Sequence, residues 1–452
     1  MKFARRNFLK ISVLLIVILF LPSFVVKYEF PVFRVVLDPG HGGRHLTPKS
    51  EHGDRYDLLS NSYIDHFSAG ASYRGNIHEH IIVYSIAEKV KALLDHCSPE
   101  GDFEKFQEIL KKYTGHPPPR VYIKTEMSRG PSITAKEAGS LEDPNAAFRL
   151  FDYPDGRGNM LPGRISRINA MKPHMVLSLH AAHSAPEAYR GMTPVLAPSY
   201  DFFYKGLEYL RGERESSRFF HRSPYNQWFT LNTSRTHFQW FLSDTSLYFT
   251  GFPLGRDLKV QDNNFKGYRY NMVQWLYADD PGWHNTAAGH PDNTRYSKDY
   301  NTFKPEGRFW EREQSEHEKR RRTGGPEGFG GDNALASYEI IRYIMYALNI
   351  REIRHPNQKP GKPFVCAWSI PIHVNAINPY IELGYFARQN DRYLLTKKQD
   401  EIAEGIAVGI YSLFAGIEVK DDSFKYKPRG TKIDFEKYNI SKNRSYFDIV
   451  AD

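Results

Sequence analysis

The chain has 452 residues, with 61 basic against 52 acidic side chains, 40% hydrophobic residues and 14% aromatic ones. That length and composition support a well-buried core and exclude a disordered or collagen-like protein; at about 150 residues per domain they allow two or three units, or one domain with a large insertion. Two cysteines, Cys97 and Cys366, exclude a disulfide scaffold and an all-cysteine zinc ribbon, leave room for one bridge in an exported protein, and assign any metal mainly to His and carboxylate ligands. The net charge of +9 favours an anionic partner, whether acidic lipid, cell-wall polymer or nucleic acid, without choosing among them.

The N-terminus carries an address. Lys2, Arg5, Arg6 and Lys10 precede an uncharged apolar run over residues 11–26, the layout of an export signal or a short membrane anchor. Phe8 and Leu9 lengthen the run towards the roughly 17 to 25 residues that span a bilayer, and Lys10 can snorkel. No small-residue cleavage site closes the run, which favours an uncleaved inner-membrane anchor over residues 8–26, with the bulk of the protein outside, in the cell envelope or periplasm. Arg5-Arg6-Asn7-Phe8-Leu9-Lys10 also looks like a twin-arginine export motif. Residues 1–30 are therefore set apart from the fold.

Beyond them, strand-like and helix-like segments alternate, an α/β pattern. Residues 34–38 form a β-branched run that ends in Pro39-Gly40-His41-Gly42-Gly43, and Ile82, Ile86, Val90 and Leu93 recur at a helical period. Residues 175–180 and 378–383 read as strands and residues 333–349 as a helix. Thr396 and Gln399 offer a capping box for a last helix carrying Ile402, Ile406, Ile410 and Leu413, stopped by Gly416. The tail after Gly416, residues 419–452, is charged and without apolar periodicity, and reads as a surface extension.

One stretch breaks the rhythm. Residues 196–331 show no clean periodicity, and residues 201–310 hold 26 aromatics, five of the six tryptophans among them. So much ring surface can be buried, which argues for an inserted subdomain. The charge run 311–322 reads as a solvated face and the Gly-rich stretch 324–331 as a hinge. The insertion offers a lid, a wall of a substrate groove or a dock for an activating protein; export argues against nucleic acid as a partner.

The chain lacks His-Glu-x-x-His, Gly-x-Ser-x-Gly and a phosphate-cradling loop with Lys, which removes the usual support for a zincin peptidase, a serine hydrolase or a P-loop enzyme. What remains is polar residues at element ends: His41 after the first strand, Glu79 opening a helix, His180 ending a strand and Glu382 near the end of the last apolar run. Two imidazoles and a carboxylate make a catalytic zinc set with a fourth position for water, and a second carboxylate can serve as base. Each also has a plainer reading. Glu79 lies three after Asn76 and could complete a capping box; His41 could be a loop histidine and His180 a satisfied strand-end one. Glu382 resists a plain reading, because a buried carboxylate needs a partner. Asp38 is a candidate acceptor that orients the His41 loop, His78 and His80 read as groups around the site, and His45, His52 and His66 carry no assignment.

The order of these motifs adds to the case. Val35-Val36-Leu37-Asp38-Pro39-Gly40-His41-Gly42-Gly43, then Glu79, then Ser178-Leu179-His180-Ala181, then Ile381-Glu382-Leu383-Gly384-Tyr385, resemble in sequence the motifs of the zinc-dependent N-acetylmuramoyl-L-alanine amidases of the cell-wall hydrolase type; Arg164 and Asn169 also match. The resemblance implies a single catalytic domain over residues 31–418 with a mixed central sheet flanked by helices, interrupted by the aromatic-rich insertion at about 196–331. It implies zinc held by His41, Glu79 and His180, Glu382 as the catalytic carboxylate, and peptidoglycan as the substrate, cleaved at the amide between muramic acid and L-alanine. Three positions depart from the pattern: Ala182 and Arg388 stand where Asn is usual, and Glu126 follows Thr125 where Arg is usual. The alternatives are a non-catalytic envelope protein of the same fold that binds glycan or a partner, and a zinc hydrolase acting on another amide.

Overall fold

The computed structural model describes residues 28–42, 70–131, 160–183, 191–196, 329–353, 370–420 and 423–442, with short pieces at 55–57, 62–65, 150, 153–154, 229–231, 273–275, 360–361, 364–365, 444–445 and 447–448. The expected anchor up to residue 27, most of the insertion, Cys366, His45, His52 and His66 lie outside these residues. Among the described residues no helix is long and apolar enough to cross a membrane.

A mixed sheet forms the centre. Strand β1 (Val32–Pro39) lies between β2 (Tyr122–Met127) and β3 (Met175–Ala182), parallel to both; β3 pairs in parallel with β5 (Tyr380–Tyr385), and β5 pairs antiparallel with β4 (Thr193–Leu196). Beyond β4 the sheet continues through Phe364–Val365, Val273–Trp275 and Phe229–Leu231. The last two strands belong to the insertion, which therefore prolongs the sheet where its residues are described.

Both faces are covered, as a β-branched strand with little alternation requires. Val35 and Leu37 face the large core built with helices α1 (Glu79–Asp95), α4 (Phe329–Asn349) and α6 (Gln399–Ala415), whereas Val36 faces a smaller cluster with Ile168 of α3 (Arg164–Ala170), Val176 and Ile370. The expected period of α1 is met at Ile82, Ile86 and Val90, with Leu94 rather than Leu93 as the fully buried last member. Helices α4 and α6 approach closely because Gly405 lies against Ile344, where an added Cβ would stand 2.5 Å from the Ile344 Cα.

Two expectations are corrected. Thr396 and Gln399 form no capping box: Thr396 donates to the Arg392 carbonyl inside α5 (Gln389–Lys397), Gln399 donates to the Leu395 carbonyl, and α6 starts without a side-chain cap. Nor is the C-terminal tail a surface extension, since Ile433, Tyr438 and Phe447 are buried and Phe435 packs on Phe33 and Phe414. The Arg429 and Gly430 amides donate to Glu339 of α4 at 2.8 and 2.7 Å, and the Tyr438 hydroxyl donates to Asp332. The tail is held by isolated side chains in separate sites, an arrangement that leaves no period to read. Gly416 ends α6 as expected, with φ +75°.

Candidate metal centre

The carboxyl ends of β1, β3 and β5 meet beside the N-terminus of α1, the crevice position where open α/β sheets place ligands. His41 leaves β1 two residues after its end, Glu79 is the first residue of α1, and His180 lies near the end of β3. One ligand atom from each lies within 4.8 Å of the others. The His180 Nδ1 stands 3.0 Å from one Glu79 oxygen, and the His41 Nε2 3.4 Å from the other.

Glu79 is not the capping residue that its spacing from Asn76 allows. The N-cap of α1 is His78, which makes no side-chain cap, and the Glu79 carboxylate instead accepts the Ala71 amide at 2.6 Å and the Ala181 amide at 3.0 Å. Burial alone would raise its pKa, but the His41 charge and hydrogen bonds from both histidines hold it well below the usual carboxylate range. Burial lowers the His180 pKa despite its bond to Glu79, which favours the neutral imidazole that a metal needs.

The donor set suits zinc: two imidazole nitrogens and one carboxylate oxygen in a sheltered crevice. Two glycines keep space around it. A Cβ on Gly40 would stand 2.3 Å from the His180 ring, and one on Gly70, whose φ is +87°, would stand 2.9 Å from the His41 ring and 3.0 Å from the Glu79 carboxylate.

The loop that carries His41 is held by two buried arginines. His41 itself has φ +58°, a conformation uncommon outside glycine. Arg129 donates to the carbonyls of Pro39 at 2.9 Å and Gly40 at 3.1 Å, and also to His80 of α1 at 3.0 Å; Arg164 donates to the His41 carbonyl at 2.8 Å. The carbonyls of three successive loop residues thus meet guanidinium groups. Burial and the neighbouring Arg164 charge push Arg129 down to about 9. Asp38, read as an acceptor for the loop, takes hydrogen bonds from Ser128 at 2.6 Å and Ser178 at 3.1 Å and lies 3.4 Å from Arg164, so it acts on His41 through that guanidinium. Asn169 of α3 accepts the Asn375 amide at 2.8 Å.

Glu382 sits in β5 directly beside His180 of β3 in the register. Burial and the negative charge of Glu79 raise its pKa well above the usual range, and one of its oxygens is shielded from water with no hydrogen-bond partner among the described residues. The half-buried group thus presents one carboxylate oxygen that no donor among the described residues occupies. Tyr380, two residues earlier on the same face, stacks on the His180 ring with centroids 4.3 Å apart and an interplanar angle of 9°.

The spacing of motifs brings together His41, Glu79, His180 and Glu382, but it misses Tyr380 and Arg129. Tyr380 was signalled only by its i−2 relation to Glu382, which puts it on the same strand face. Arg129 was signalled only by its place just after a strand end.

No family model and no curated protein matches the chain. Among solved structures it is similar to an N-acetylmuramyl-L-alanine amidase, Ami1, from Mycobacterium smegmatis, with 12% identity over 85% of this chain and 97% of that one and a TM-score of 0.34. The apo form of Ami1 from Mycobacterium abscessus shares 10% identity over 84% of this chain and 97% of that one, TM-score 0.35. An N-acetylmuramoyl-L-alanine amidase from Clostridium difficile 630 shares 11% over 84% and 96%, TM-score 0.28. Likeness this distant adds nothing to what the side chains themselves carry.

Proposed function

We propose that the chain is a zinc-dependent amidase that hydrolyses the bond between N-acetylmuramic acid and L-alanine in peptidoglycan. The observation that carries this reading is the meeting of His41, Glu79 and His180 within 4.8 Å, with Glu382 beside His180 in the sheet register; the motif order in the sequence supplies the substrate. His41, Glu79 and His180 would hold the ion, which when bound supplies an acidified water and polarises the scissile carbonyl.

The chain's own groups do the rest. Glu382, beside His180 in the sheet register, accepts a proton from the attacking water at a carboxylate oxygen and hands it to the departing nitrogen. The second transfer is needed because an amine anion is a very poor leaving group. The peptide amides of Ala71 and Ala181 fix the Glu79 carboxylate, and the two arginines fix the loop of His41. The apolar run that follows the basic N-terminus supports export and anchoring to the inner membrane through residues 8–26; removing residues 1–30 should release the protein from the membrane fraction.

The test is zinc content and release of peptide stems from purified peptidoglycan, for the full chain and its Glu382→Gln variant in parallel. Both should carry one zinc, and the variant should release stems at least about a hundredfold more slowly. Zinc without release by the wild-type chain would move the substrate to another amide, and near-normal release by the variant would remove Glu382 from the mechanism.

A further inference from the structure

A short hairpin, Ser72–Tyr73 paired with Ile77–His78, leads directly into Glu79. Its base is bonded to Glu79 on one side and to the segment after β3 on the other. Ala71 exchanges hydrogen bonds with Glu79: its amide donates to the carboxylate and its carbonyl accepts the Glu79 amide, and the Ser72 carbonyl lies 3.0 Å from the ring of His183, just past β3. At the turn Arg74 is exposed and has φ +49°, a left-handed conformation usually reserved for Gly or Asn.

Arg74 is not alone. Its guanidinium lies 5.2 Å from the centre of the Tyr73 ring, and that of Arg392, from α5, lies 4.1 Å from the same ring. Arg392 also donates to the Phe386 carbonyl, on the segment that follows β5 and Glu382. Among the described residues neither guanidinium has a carboxylate within ion-pair distance, whereas the nearby Arg388 stands 3.9 Å from Asp391. Two guanidiniums without carboxylate partners thus share one ring, and the guanidinium fork matches a carboxylate.

We propose that Arg74 and Arg392, gathered on Tyr73, form a subsite for a carboxylate of the peptide whose amide the metal centre cleaves. This rests on the amidase reading, in which the amine side of the scissile bond continues into a peptide that ends in a carboxylate. The subsite then selects acidic stems over neutral ones.

The test uses the full chain and its Arg74→Gln, Arg392→Gln double variant on soluble muramoyl-peptides with free carboxylates and on the same peptides with those groups amidated. The wild-type chain should show a KM about tenfold lower for the acidic peptides, a preference that weakens with added salt. The double variant should lose that preference while keeping kcat on the amidated peptides. An unchanged preference in the variant, or an equal loss on both peptides, would overturn the subsite and leave the amidase reading intact. A wild-type chain that cleaves neither peptide would overturn both.

Discussion

Tyr380 lies flat on His180, its ring centroid 4.3 Å away and its plane within 9° of parallel. The stack sets the plane of one proposed metal ligand from the strand that carries the proposed base. Groups that orient a ligand commonly change metal affinity by about 10- to 100-fold. Tyr380→Leu should therefore raise the zinc dissociation constant about tenfold or more, measured by competition with a chelating dye, and Tyr380→Phe should stay near wild type. Equal affinities for the Leu and Phe variants would show that the ring has no part in holding His180.

Gly40 is the second control on His180. Because a Cβ at this position would stand 2.3 Å from the imidazole, the ring or the loop must move in Gly40→Ala. The variant should purify with far less than one zinc per chain by atomic absorption, and a full complement of zinc would show that the loop gives way freely.

Arg129 joins the His41 loop to the start of α1 through bonds to Pro39, Gly40 and His80. Arg129→Met leaves these carbonyls without their donor, at a cost of about 1–3 kcal/mol for each buried group so abandoned. We expect lower stability in urea and weaker zinc binding together. Arg129→Lys should not rescue either, because one ammonium cannot span the two segments as the fork does; full rescue by Lys would reduce the role to charge alone.

His174 supplies the pH dependence. Its Nδ1 accepts the Arg34 amide at 3.0 Å, and burial, with the Arg34 charge, pushes its pKa down to about 3. The unfolded value is near 6.5, so as pH falls the unfolded chain takes up this proton first. The contribution is intact above about pH 6.5 and is lost progressively down to about pH 3, reaching about 2 kcal/mol at pH 5. Urea titrations at pH 7 and pH 5 should show that loss in the wild-type chain and a smaller one in His174→Asn; identical pH dependence would exclude His174 as the source.

By itself the sequence determined the α/β alternation, because burial on two faces writes apolar runs such as residues 34–38 and the helical spacing of Ile82, Ile86 and Val90 directly into local composition. It also marked His41, Glu79, His180 and Glu382, since polar residues at the ends of such runs have few other uses. What only the tertiary structure decided is how distant segments meet. The spacing of Asn76 and Glu79 allowed a capping box, and it took the Ala71 and Ala181 amides to orient the carboxylate towards two histidines. The Thr396 box failed for the same kind of reason: helix continuity offered its side chains backbone carbonyls one turn earlier. The C-terminal tail looked like a solvated extension because its buried rings are spaced without period, each matched to a separate site on the core. The stack of Tyr380 on His180 and the span of Arg129 between two segments join residues 200 and 49 positions apart or more, and no local pattern can encode contacts that exist only once strands and helices have packed.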